Sequence, residues 1–299
     1  MHKTLANNSA QDAETQWTCV TCGQQAAGSY CAHCGEKQLH NHDFSLGHVL
    51  AEAAEAFFHV DSKVFLTLKT LIKKPGQLTA EFFMGRRKPY MSPLQTFFVC
   101  NLLFFVLQPL TGLEILGPPL RLFEGNFFFQ TISTRLVDRR MAKKNISRTN
   151  EAQYKEFADH FDRVSHVQAK SLILALALMM SVAVALLHFR RHYYSEHIVF
   201  SLHVYAWWLL WLLAILIVTM LSLIAAKIAR NPINLSFMDE AATLLEFGGL
   251  GLYMFFANQL YYKDKLVPGL LRGVALFFCG YFLFELYRLL LLFTVLYST

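Results

Sequence analysis

The chain has 299 residues, of which 55% are apolar, 16% are charged and 27 are Phe, and its mean hydropathy is +0.34. This balance holds more apolar surface than one soluble core of that length can bury, which leaves a membrane protein. The net charge of +6 and a pI near 9.0 would suit nucleic acid, but the Lys and Arg residues stand in short groups beside apolar segments, where they flank membrane spans and meet lipid headgroups.

Residues 1–18 read as a disordered tail. Met1 to Gln16 contains no apolar stretch of the kind that makes a cleavable export signal, so the N-terminus is expected in the cytosol. Residues 19–40 then carry Cys19-x-x-Cys22-Gly and Cys31-x-x-Cys34-Gly. Each pair can present two thiolates from one tight knuckle, and Gly23 and Gly35 permit the backbone conformation that turns amides toward sulfur. A zinc ribbon with Cys19, Cys22, Cys31 and Cys34 as ligands is the natural reading. Two disulfides in an exported segment are the competing one, disfavoured without an export signal. His33, His40 and His42 read as solvated loop residues, and Cys100 and Cys279, inside apolar runs, as packing residues. Between Cys19 and Cys34 there is no Lys or Arg, so the ribbon lacks the charge that phosphate contact requires. A cytosolic protein partner is the better expectation than nucleic acid.

Residues 43–92 read as cytosolic or interfacial amphipathic helices. Asp43 can cap a first helix with Leu46, Val49, Leu50, Ala53, Phe57 and Phe58 at helical spacing. Ser62 can cap a second, with Val64, Phe65, Leu68, Leu71 and Ile72 as its stripe and Lys63, Lys69, Lys73 and Lys74 around it, until Pro75-Gly76 ends it. Two placements stay open, in the headgroup plane or as a hairpin packed on the ribbon.

Residues 93–299 form the transmembrane domain of an all-α membrane protein. Five candidate spans, 94–113, 171–187, 198–226, 241–262 and 270–297, can each cross a hydrocarbon core of about 30 Å, the second only if its apolar face extends slightly beyond those limits. With the N-terminus inside, Lys73, Lys74, Arg86, Arg87, Lys88, Arg190, Arg191, Lys263, Lys265 and Arg272 fall on the cytosolic side and the C-terminus outside. The 118–169 segment is then an external insertion, although it carries Arg135, Arg139, Arg140, Lys143, Lys144 and Arg148. Gln108, Pro109, Gly112 and Pro118-Pro119 would also suit a re-entrant first segment, which leaves four spans and a cytosolic loop. The end of the insertion, with Tyr154, Phe157, Phe161, Val164 and Gln168 at helical spacing, reads as a helix running into the second span.

Two runs carry a family resemblance: Lys74-Pro75-Gly76 through Gly85-Arg86-Arg87-Lys88-Pro89-Tyr90-Met91-Ser92-Pro93, and Tyr194-Ser195-Glu196-His197-Ile198-Val199-Phe200-Ser201-Leu202-His203. With the paired-cysteine ribbon they resemble the bacterial membrane proteins of domain of unknown function 3667, from Cys19 to about Trp211. The resemblance implies a multi-pass inner-membrane protein and no activity. Where that family shows a second histidine in a His-x-His pattern, this chain has Tyr205.

Two polar groups stand inside apolar segments. Glu196 and His203 are seven positions apart on nearly one helix face, with His197 a quarter turn away and Asn101 of the first span expected at similar depth. They would form a polar pocket near the cytosolic face, or else fasten spans together. Glu246, Glu285 and Arg288 are expected at a common depth near the other face, as a functional group or a charge-paired clamp. No zinc-protease helix, serine elbow or phosphate-binding loop is visible, so no catalytic residue is assigned. The expected function is non-enzymatic: a transport or channel-like body, or a membrane-assembly protein, with the ribbon as docking module, among membrane lipids in the bacterial inner membrane and open to homo-oligomer formation. The alternatives are an intramembrane enzyme using the Glu/His group and a lipid-handling protein.

Overall fold

The computed structural model describes residues 16–38, 63–111, 115–125, 128–188, 192–229 and 235–298. Most of the expected tail, His40, His42 and the helix after Asp43 lie outside the described residues.

Two short strands open the ribbon, β1 (Trp17–Thr18) and β2 (Gln25–Ala26), antiparallel with Trp17 opposite Ala26. Trp17 and Thr18, expected in the tail, therefore belong to the ribbon. Both knuckles fold alike: the Cys19 amide bonds Gln24 O and the Gly23 amide returns to Cys19 O, while Cys31 and Gly35 repeat the pattern with Glu36 O and Cys31 O.

The helices are α1 (Lys63–Lys73), α2 (Gln77–Phe83), α3 (Pro93–Thr111), α4 (Leu120–Glu124), α5 (Gln130–Lys143), α6 (Glu151–Leu187), α7 (Tyr194–Ala229), α8 (Leu235–Tyr262) and α9 (Leu266–Ser298). Four of them, α3, α6, α7 and α9, are long and apolar enough to cross a membrane. The remaining candidate span falls in α8, a 28-residue helix that packs against both α7 and α9. Its apolar character is diluted by Glu246, Asn258 and three glycines. The helix expected at the end of the insertion does run into the second span: together they form the 37-residue α6, about 55 Å long by helix rise, started by Asn150, whose side chain accepts the Gln153 amide.

The α1–α2 hairpin packs on the bundle rather than on the ribbon. Gly76 turns it with φ +80°, and a Cβ there would stand 2.7 Å from the carbonyl oxygen of Ala257 in α8, so only glycine fits. The Tyr253 hydroxyl donates to Leu71 O at 3.0 Å from the same helix. The stripe on α1 is consequently split: Leu71 is buried, whereas Phe65 is 78% exposed on a helix that also carries four lysines in and just after it.

From the turn at Lys88 the chain runs up α3, back down α6, up α7, down α8 and up α9. At the end away from the ribbon, α4, α5 and the first half of α6 make a cap. Phe123 and Phe161 meet edge to face at 5.7 Å, the Leu120 amide donates to Asp162 at 2.7 Å, and Arg148 bridges Glu124 and Asp138 at 2.5 and 2.8 Å. Part of the basic charge of the insertion is thus used to fasten it. Phe97, Cys100 and Phe104 of α3, Ile173 and Leu176 of α6, Trp208 of α7 and Leu291 of α9 fill the core; close packing of this kind is what holds helices together in lipid. Cys100 is fully buried there, as expected of a packing residue.

Candidate functional site

The four cysteine sulfurs lie within 4.8 Å of one another, and none of the four is in a disulfide. Cys19 and Cys34 sulfurs stand 3.4 Å apart, Cys22 and Cys31 sulfurs 3.6 Å. A tetrahedral ion with metal–sulfur bonds of about 2.3 Å needs edges near 3.8 Å, so the group fits a metal ion with little adjustment. Gly23 and Gly35 both take positive φ, +75° and +72°, the conformation expected of them. Backbone amides of Cys34 and His33 pull the Cys31 thiol down to about 6, while burial and the neighbouring thiols push Cys22 up and Cys34 up to about 12.

The ribbon is anchored on the bundle by a residue that stands directly after the second knuckle. Glu36 is buried, accepts the Thr21 hydroxyl at 2.6 Å and accepts the backbone amide of Lys88 at 3.1 Å. One carboxylate oxygen therefore ties the first knuckle, the second knuckle and the Gly85–Tyr90 turn together. Gly35 is equally close: a Cβ there would sit 3.3 Å from the Lys88 side chain. Charge-assisted bonds to a buried carboxylate are among the stronger polar contacts available to such a junction.

At the same end of the bundle, Glu196 and His197 are drawn into a network joining the α6–α7 turn to the end of α8. Glu196 accepts from His192 at 2.7 Å, from the Tyr193 amide at 3.1 Å and from the Tyr261 hydroxyl at 2.5 Å. His197 shares a 2.8 Å bond with the Tyr262 hydroxyl, and the Tyr262 ring stacks on His188 at 3.8 Å. His188 meets Val184 O at 3.1 Å and Asp264 at 3.4 Å, and Asp264 in turn pairs with Arg272. Burial holds His188 below the usual histidine range, which favours its neutral form. Both Glu196 oxygens are occupied, so the arrangement is a satisfied helix junction.

His203 is not part of that network. Its Nδ1 bonds the Thr79 hydroxyl of α2 at 2.9 Å, fully inside the protein, beside a cleft of about 10 Å³ shared with Arg86, Arg87 and Tyr90. Asn101 is more distant still. Its amide donates to the Lys170 carbonyl at 3.1 Å, seventeen residues before the end of α6, or about 25 Å of rise from the His188 turn. The structure thus gives Glu196 with His197, His203, and Asn101 three separate sets of partners. The reason is the hairpin: α2 fills the space along α7 into which a shared pocket would open.

In the other polar group, Arg288 pairs with Glu285 at 3.4 Å as expected for i,i+3 neighbours. It lies 5.8 Å over the Phe123 ring, linking this pair to the cap. Sequence reasoning missed Glu36, Lys88, Thr79, His188, His192, Tyr261, Tyr262 and Asp264 as partners. The crowding of His188, His192 and His197 around a predicted helix end was the one local signal for part of this set.

Residues 61–105 match the model of a family described as protein of unknown function (DUF3667). The matched stretch contains α1, α2, the Lys88 turn and the first thirteen residues of α3, the part on which the ribbon sits and against which His203 packs. No curated protein and no solved structure matches the chain.

Proposed function

We propose that this DUF3667-family chain is a non-enzymatic membrane-assembly protein of the bacterial inner membrane, in which a cytosolic zinc ribbon docks a protein partner and is held in fixed orientation on the bundle. The observation that carries this reading is the Glu36 junction: it fastens the metal knuckles to the Lys88 turn and leaves Val20 49% and Tyr30 62% exposed on the ribbon surface. Exposed apolar side chains on a rigid, weakly charged module suit a protein surface better than a phosphate backbone. A transport body has less support, since the core between α3, α6, α7 and α9 is filled by large side chains. In this reading the cytosolic N-terminus puts the cap and the C-terminus outside; labelling a cysteine placed at position 154 in intact cells reads that orientation, and protection there would reverse it.

The second reading is an intramembrane enzyme, favoured by one observation: a carboxylate, Glu196, flanked by His192 and Tyr261. Complementation of a deletion strain separates the two. On the docking reading, Val20→Asp with Tyr30→Ala abolishes complementation at normal abundance and zinc content, while Glu196→Gln lowers abundance and retains function per molecule. Full complementation by the ribbon variant, with loss in Glu196→Gln at normal abundance, would overturn it in favour of the enzyme.

A further inference from the structure

The face of α7 and α8 next to the hairpin is grooved. One part of the groove, about 490 Å³, is lined by Ile72 and Pro75 of the hairpin and by Trp207, Trp211, Gly248 and Tyr253 among others. It shares Trp211 and Leu245 with a second part of about 240 Å³ that continues along α7 to Ser222. Its floor is an aromatic shelf: Trp207 stacks on Trp211 at 5.6 Å and on Tyr253 at 4.2 Å. The Trp211 indole donates to Leu245 O at 2.9 Å, a reach open only because Gly249 has no side chain, as a Cβ there would lie 2.3 Å from the indole nitrogen. From Trp207 to Ser222 the groove follows about 22 Å of helix rise, longer than the roughly 15 Å of one leaflet. In sequence, Lys73 and Lys74 lie between the lining residues Ile72 and Pro75, and both are exposed.

We propose that this groove is a binding site for an anionic phospholipid, with one acyl chain laid on the Trp207–Trp211–Tyr253 shelf and the phosphate taken by Lys73 and Lys74. The occupant follows from two properties in one place. The groove walls are almost wholly apolar on a helix long and apolar enough to cross a bilayer, and the hairpin segment that lines one part of it carries two adjacent cations in sequence. A zwitterionic lipid would fill the apolar part equally well, but the cation in its headgroup cancels the phosphate charge, so it gains less from the pair. This site is independent of the docking reading and of the zinc centre.

The test is lipid retention by the full-length protein purified in detergent, read by native mass spectrometry and thermal unfolding with added phosphatidylglycerol or phosphatidylcholine. Wild type is expected to retain one phosphatidylglycerol and to prefer it by roughly thirtyfold, the factor two basic residues supply near an anionic headgroup. Lys73→Gln with Lys74→Gln should erase the preference while leaving lipid-free unfolding unchanged. Gly248→Phe plugs the groove: nothing lies within 4 Å of a Cβ at that position, so the variant is expected to fold and to lose bound lipid of either kind. Equal retention of both lipids by wild type would overturn the proposal, as would undiminished retention by Gly248→Phe. Stabilisation by soluble glycerol phosphate alone, or a dimer seated in the groove with no lipid retained, would overturn it too.

Discussion

Replacing Gly76 by alanine probes the hairpin where it meets the bundle. The position has φ +80°, a conformation that costs an L-residue about 1–2 kcal/mol. The added methyl would also lie 2.7 Å from the carbonyl oxygen of Ala257 and 3.0 Å from its Cα. Both are backbone atoms of a packed helix and cannot rotate away, so the hairpin must shift, at the roughly 1–3 kcal/mol typical of overpacking. The combined loss is about 2–5 kcal/mol. A shift large enough to relieve the contact also weakens the Tyr253–Leu71 and Thr79–His203 bonds. Equilibrium unfolding in mixed micelles, followed by Trp fluorescence, reads it; Trp207 and Trp211 line the groove that Ile72 and Pro75 complete. Gly248→Ala is the control, in open space on the same helix as Ala257, and gains up to about 1 kcal/mol from helix propensity. A Gly76→Ala protein within about 0.5 kcal/mol of wild type, below what an αL alanine alone should lose, would refute the wedged hairpin.

Three further outcomes follow from the contacts described. Glu196→Gln should lower stability by about 1–3 kcal/mol, because His192, Tyr261 and the Tyr193 amide lose their charged acceptor; thermal unfolding in detergent measures it, and Tyr261→Phe should lose less. Arg288→Leu removes the partner of the buried Glu285 and should cost about 3–5 kcal/mol, read as reduced abundance and a lower unfolding temperature, with Glu285→Gln restoring part of the loss. Elemental analysis of protein purified under reducing, chelator-free conditions should find one zinc per chain, and none when Cys19, Cys22, Cys31 and Cys34 are all serine.

What the sequence reveals and conceals divides along contact range. The cysteine knuckles, the stop at Pro75-Gly76 and the fusion of the insertion helix with the second span are all written in spacings of a few residues, and each appears in the structure. The Arg288–Glu285 pair is local as well. Glu36 with Lys88 is 52 residues apart and Thr79 with His203 is 124 apart, and no local period encodes such meetings. The depth of Asn101 was misread for a related reason. Counting residues from the start of the first span assumes that every helix begins at one plane, but α3 starts only after the hairpin and the Lys88 turn have filled the mouth of the bundle. Asn101 therefore meets α6 far from the turn that holds His188 and Glu196.

The central claim, that Glu36 holds the cysteine ribbon on the Lys88 turn, is tested most directly by hydrogen exchange at the Lys88 amide. In wild type that amide should be protected. Glu36→Ala, and separately removal of zinc by chelation, should each bring it to the exchange rate of an open turn while amides in the middle of α9 keep theirs. Unchanged protection at Lys88 in both cases would contradict the account, since the amide would then owe nothing to the carboxylate or to the knuckle that presents it.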